Sequence, residues 1–154
     1  MRRKDRATGP EDALRILSTA EYGVLSMATL EGEPYGVPLN FAWADDCIYF
    51  HCAPEGRKLD LLQANPRCSF TVVGKTQVVP ENFGTLYESV LVTGSAQELS
   101  GPKKQKALVL LVAKYASEHM ERGLNYIDRL KNATKVFQIT ATSITAKACT
   151  QCTA

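Results

Sequence analysis

Three runs in the first third of the chain, residues 22–29, 35–43 and 47–52, are short, apolar or aromatic, and rich in β-formers. Only Glu31-Gly32-Glu33 and the Ala44-Asp45-Asp46 group lie between them, turn-type segments far too short for a parallel crossover. This spacing forces antiparallel pairing, and the rest of the chain must build on it. Strand character resumes at 68–73 and 89–99, and again at 135–141 and 143–148. The stretch 74–85 between the first two of these carries Gly, Pro and Asn and is expected to be a long loop, long enough to suspect a role.

Helices are expected around these strands. Thr8 and Glu11 form a T-x-x-E capping box with Pro10 in the first turn, which predicts a helix to about Ala20. Residues 56–64 carry Leu59, Leu61 and Leu62 and stop at Asn65-Pro66. Ser100 and Pro102 open the longest helix, to about His119, with Ala107, Leu108, Leu111, Val112 and Tyr115 at helical spacing. His119 is expected to place a favourable charge at that helix's C-terminus. A weaker helical stretch covers 124–131. Six or seven antiparallel strands in 154 residues, with 45% apolar composition, are most economically buried as one small barrel with helices outside. Residues 1–148 are expected to form that single domain, with 149–154 as a tail.

Several classes are set aside by charge and patterning. The net charge of +2 comes from interspersed acids and bases, with one short cluster, Arg2, Arg3, Lys4 and Arg6. A nucleic-acid footprint would be larger and confined to one face, so no nucleic-acid partner is expected. The basic start is followed by Ala7-Thr8-Gly9-Pro10-Glu11-Asp12, which offers no apolar signal segment, and no membrane-spanning run follows. Five cysteines without framework spacing imply reduced thiols and a cytoplasmic protein. Cys47, Cys52 and Cys68 read as small buried hydrophobes. Cys149 and Cys152 form a C-x-x-C with no second pair for zinc and no redox βαβ context.

The stretch from His51 to Lys58 concentrates the chemistry. It delivers Gly56, Arg57 and Lys58 to the start of a helix directly after a strand, where free backbone N–H groups and two cations favour a phosphate. Taken alone, Gly-Arg-Lys before a helix reads first as an ordinary solvated basic turn. Adjacent His51 and Cys52 cannot form a dyad, because neighbouring strand residues point to opposite faces. Trp43, Phe41 and Tyr49 read as core or interface, and Phe70 and Phe137 as core.

A set of further segments extends over nearly the whole chain. They are the opening residues 1–6, Tyr22-Gly23-Val24-Leu25, the 34–41 run Pro-Tyr-Gly-Val-Pro-Leu-Asn-Phe, and Ile48-Tyr49-Phe50-His51-x-Ala53-x-x-Gly56-x-Lys58. Tyr87-Glu88-Ser89-Val90-Leu91-Val92-x-Gly94 and Ile144-Thr145-Ala146-Lys147 follow in the same order. Together they resemble the nitroimidazole-resistance (Nim-like) flavoproteins of the pyridoxamine 5'-phosphate oxidase superfamily. The resemblance implies a mainly β chain with flanking helices, a six-stranded antiparallel split β-barrel, binding FMN in a groove where two identical subunits meet.

Carried over by position, Arg57 and Lys58 match the basic pair on the FMN phosphate, and Ser89 matches a polar position facing the flavin. Val37, Pro38, Leu39 and Asn40 correspond to the strand running along the flavin; the oxidase has an arginine there and this chain has none, which shifts the phosphate grip toward Lys58. His51, which on its own reads as a half-buried strand histidine with one hydrogen bond, matches a histidine at the cofactor site and is by that resemblance the candidate catalytic residue. The chain ends without the Trp- and Arg-bearing segment that completes the oxidase active site, so vitamin B6 oxidation is not expected. The resemblance implies instead an oxidoreductase that passes electrons from FMN to a small electron-poor acceptor such as a nitroaromatic or quinone. A flavin-binding carrier or sensor without turnover is the alternative.

Overall fold

The computed structural model describes residues 3–151. Its centre is a mainly antiparallel sheet of seven strands: β1 (Gly23–Ala28), β2 (Pro34–Leu39), β3 (Ala42–Ala44), β4 (Cys47–Cys52), β5 (Arg67–Val79), β6 (Gly84–Glu98) and β7 (Lys135–Cys149). The order across the sheet is β2-β1-β5-β6-β7-β4-β3, and every neighbouring pair is antiparallel. This is the mainly β, antiparallel architecture with flanking helices expected from the sequence, consistent with the split-barrel fold. The sheet is not closed, since β2 and β3 form opposite ends of the order.

There are seven strands rather than six because the 35–43 run breaks at Asn40 and Phe41. The hydroxyl of Tyr115 accepts from the Phe41 N–H (2.9 Å) and lies 2.6 Å from the Glu21 carbonyl and 2.9 Å from the Phe41 carbonyl, either of which can take its proton. With its backbone groups satisfied by a side chain, the chain can leave the β1 ladder and join β4 at the other end of the sheet.

The stretch 74–85, expected as a loop, is instead the outer part of a long hairpin. β5 and β6 pair through it and turn at a 3-10 segment, Pro80–Asn82. Val78 and Phe83 are 69% and 99% exposed there. No face is buried, so the period-2 signal that marks a half-buried strand is missing. The two final strand candidates are likewise one strand, β7, which bulges opposite Thr93 and Gly94. A Cβ on Gly94 would lie 2.2 Å from the Thr140 carbonyl oxygen, so only glycine lets the two backbones approach this closely.

Four helices flank the sheet: α1 (Pro10–Thr19), α2 (Arg57–Ala64), α3 (Gly101–Tyr115) and α4 (Met120–Leu130). α1 buries Ala13, Ile16 and Leu17 against the main core, where Phe41, Phe50, Phe70, Leu25, Ile48 and Val92 are fully enclosed. The capping box is not formed. Gly9 is the N-cap, and Thr8 is drawn onto β7, its N–H donating to the Ala146 carbonyl (3.2 Å). Its buried hydroxyl has no partner among the described residues. α3 and α4 cover the other face of β4, where Cys47, Tyr49 and Val136 pack with Ala107, Leu108 and Ile127. Between them the chain passes through a 3-10 turn, Ser117–His119, so His119 caps the start of α4 instead of closing α3, and the expected favourable C-terminal charge does not arise.

Lys114 on α3 sets its ammonium 3.8 Å from the Phe41 ring centroid and 3.3 Å from the Leu17 carbonyl. Burial lowers its pKa to about 8, while the ring face works in the opposite direction. Cys47 and Cys149 are buried and Cys52 and Cys68 partly so, all as free thiols. Burial raises the pKa of Cys68 to about 11, which makes it a poor nucleophile. Cys152 lies outside the described residues. Among the described residues no helix is long and apolar enough to cross a membrane.

Candidate functional site

The two covered faces of β4 fix where the chain can present chemistry. Cys47 to Phe50 are buried on alternate sides, and only at its last two residues does the strand emerge. There His51 is exposed, while Cys52 turns inward to the main core. The pair therefore points to opposite faces, as strand geometry requires. Partial withdrawal of the ring from water lowers the His51 pKa, and the Lys58 ammonium lowers it further. Both influences favour the neutral imidazole, which can offer both a donor and an acceptor.

From β4 the chain reaches α2 through Gly56, whose φ of +131° and ψ of 159° lie in a region essentially closed to other residues. No atom stands within 4 Å of where a Cβ would be, so the glycine is required by the turn itself and not by crowding. α2 starts without any side-chain cap. Among the described residues only its Leu59 N–H finds a backbone acceptor, the Gly56 carbonyl (2.8 Å), and the other first-turn N–H groups are open to a solvent molecule or an anion.

Arg57 and Lys58 diverge from that start. Arg57 reaches to the β1–β2 hairpin, 3.6 Å from a Glu33 carboxylate oxygen and 5.0 Å from the Tyr35 ring centroid. Both ends of this ion pair are exposed, so it is weak and exchangeable. Lys58 is half-buried, its ammonium 5.9 Å from the Phe50 ring centroid, and it has no ion pair or hydrogen bond among the described residues. Lys58 at the start of α2 is near enough to act electrostatically on His51, while Arg57 turns toward the β1–β2 hairpin.

The β2 residues split by parity. Val37 and Leu39 pack inward on the core, so only their backbone faces a ligand, while Gly36, Pro38 and Asn40 are exposed. Pro34 and Pro38 share that outward parity on an edge strand, the position where a missing N–H costs no ladder bond. Asn40 donates from its side-chain amide to the Glu21 carbonyl (3.2 Å), which helps hold the β2–β3 break.

Ser89 lies on a different part of the sheet from His51. It pairs with Lys147 on β7, whereas His51 pairs with Val136. About 11 residues of β7 separate the two points, roughly 36 Å along an extended strand. Ser89 instead lies in an open groove on the outer face of the sheet with Thr71, Leu91, Thr145 and Lys147. Lys147 has no signal of its own in the sequence beyond its place in a motif, because only the β6–β7 register makes it a neighbour of Ser89.

The profile of the pyridoxamine 5'-phosphate oxidase family matches residues 10–148. No match is found among curated proteins. Of solved structures, a protein from Bacteroides thetaiotaomicron provisionally described as a 5-nitroimidazole antibiotic resistance protein is 25% identical, with a TM-score of 0.79 over 92% of this chain and 86% of its own. An FAD-binding protein from Mesorhizobium loti is 24% identical, with a TM-score of 0.65 over 94% of this chain and 98% of its own. An FAD and heme binding protein from Mycobacterium smegmatis is 15% identical, with a TM-score of 0.74 over 96% of this chain and 75% of its own. At these identities the last two establish the shared fold alone.

Proposed function

The chain belongs to the pyridoxamine 5'-phosphate oxidase family, and from that membership we propose that it is a flavoprotein that binds FMN and reduces a small electron-poor acceptor such as a nitroaromatic or quinone. The observation that carries the reading is the uncapped start of α2 behind Gly56, with the Lys58 ammonium left without an acid. This donor set fits a phosphate: backbone N–H groups, a helix dipole and the Lys58 ammonium lie at one helix start, even with Asp60 in the same first turn. Lys58 and the α2 amides would hold the phosphate, with Arg57 joining by leaving Glu33. The β2 edge and His51 would flank the ring. Bound FMN would supply hydride or electron transfer at N5; the protein's part is binding, orientation and tuning.

Ser89 supports a homodimer. Ser89 on β6 pairs near one end of β7 and His51 on β4 near the other, so a second copy would bring Ser89 to a ligand held at Lys58. Val73 and Leu91, 52% and 40% exposed, adjoin Ser89 on the outer face and offer such a copy apolar contact. The free thiols suit a reducing, cytoplasmic setting.

The test is a visible spectrum of the purified protein, followed by titration with FMN. Flavin absorption, present at once or after reconstitution, is the expected result. A colourless protein with no affinity for FMN would overturn the reading. Turnover of NAD(P)H with a panel of acceptors, above a free-FMN control, distinguishes an oxidoreductase from a carrier.

His51 gives a sharper check. Because its folded pKa is depressed, the native state binds fewer protons than the unfolded chain between that value and about 6.5. Stability tied to the neutral ring is therefore complete above about pH 6.5 and is lost as the pH falls toward the folded pKa. Beside a flavin, protonation in that window should also shift the midpoint potential. His51→Gln should abolish that pH-dependent shift and change the flavin spectrum while leaving the melting temperature at pH 7.5 nearly unchanged. A destabilised variant with an unaltered spectrum and potential would assign the residue to the fold.

A further inference from the structure

Resting on the flavin reading above, we propose that Lys147, supplied by the second copy, is a flavin-contacting residue whose ammonium stabilises the negative charge the ring acquires on reduction. Strand register places it. Val90 and Ala146 point into the core, at 1% and 7% exposure, so Ser89, Leu91, Thr145 and Lys147 point outward on the opposite face. Ser89 and Lys147 are directly paired, and they line the same open groove. A ligand that meets one of these side chains meets the other.

Lys147 is moreover a cation without an acid. It is partly buried and makes no ion pair or side-chain hydrogen bond among the described residues. The carboxylate nearest in sequence on β6, Glu88, is held on Arg15 (2.6 Å) and accepts from the Lys75 N–H (3.1 Å). Asp5 is bound to Arg3. Arg6, which reaches the Tyr87 hydroxyl at 3.2 Å, adds a second positive charge to this end of the sheet.

The backbone at Lys147 is fixed from both sides. β6 pairs with it along one edge, and Ala7 bridges to it along the other. The stem is therefore set before any ligand arrives. A preset cation beside the place where negative charge develops stabilises the charged state with little reorganisation. A lysine merely solvated at the surface would have no such effect, and the two roles are separable by experiment.

Lys147→Met keeps the length of the side chain and removes the charge. In FMN-loaded dimer, spectroelectrochemical titration should show a midpoint potential lower by about 30 mV, a tenfold loss of preference for the reduced form in a two-electron couple. Lys147→Arg should restore most of the shift, and the melting temperature of both variants should stay close to that of the parent. An unchanged potential in a fully loaded Lys147→Met protein would overturn the inference while leaving flavin binding intact. Failure of the parent itself to bind FMN would instead refute the flavin reading on which it rests.

Mixed dimers test the origin of the lysine. A chain carrying both Lys58→Ala and Lys147→Met is paired with a differently tagged parental chain, at an FMN concentration that loads only sites with Lys58. If Lys147 acts across the interface, the one loaded site receives the uncharged Lys147→Met side chain from the variant chain and shows the lowered potential. A parental potential in that site would show that Lys147 acts within its own chain and would overturn the proposal.

Discussion

Replacing Lys58 by alanine should weaken FMN binding by roughly 10- to 150-fold, the equivalent of about 1.5–3 kcal/mol for one charge-assisted hydrogen bond to phosphate. The size follows from the environment of the ammonium. It stands half-buried beside the Phe50 ring with no carboxylate among the described residues, so nothing in the unliganded protein competes with the phosphate for it. Arg57 already has Glu33 and Tyr35 and should matter less. Riboflavin lacks the phosphate, and its affinity should hardly change. Parallel titrations of FMN and riboflavin, followed by flavin fluorescence, provide the measurement. Equal losses for both ligands would move Lys58 from the phosphate site to the ring site or the fold.

The second large effect concerns the core that carries the site. Phe70 is fully enclosed, its ring 5.0 Å from that of Phe41 in an edge-on arrangement, and it fills the space that a Cβ on Gly23 would need. Phe70→Ala should cost about 3–5 kcal/mol, since the rigid strands around it can close only part of the cavity. For a chain of this size the melting temperature should fall by roughly 10 °C or more. Calorimetry of the flavin-free protein checks this without interference from ligand stabilisation. A loss below about 1 kcal/mol would mean that β1 and β5 collapse onto each other despite their ladder.

Local chemistry is readable wherever a single segment decides its own conformation. β4 at 47–52 and the helix after Gly56 follow directly from apolar runs, a glycine and Asn65-Pro66. The candidate phosphate cradle is visible for the same reason, because a strand end, a glycine and two cations lie within eight consecutive residues. Family membership is also readable, through short segments in a fixed order. The burial of Phe70 and Phe137 follows from their place in strands.

Other features depend on contacts between distant segments. The hairpin at 74–85 reads as a loop because it buries neither face, and alternation is only visible where one side meets a core. Thr8 has the pattern of a cap, but β7 takes its N–H; His119 has the position of a helix end, but a 3-10 turn moves it to the start of α4. The break at Asn40 and Phe41 is made by Tyr115, 74 residues away in sequence from Phe41. The candidate site divides along the same line. Amino-acid sequence by itself determined an antiparallel sheet and a basic glycine turn into a helix, because hydrogen-bonding capacity and backbone freedom are properties of neighbouring residues. Only the tertiary structure decided that Ser89 lies beside Lys147, since strand register is set by the packing of whole faces and by one bulge at Gly94.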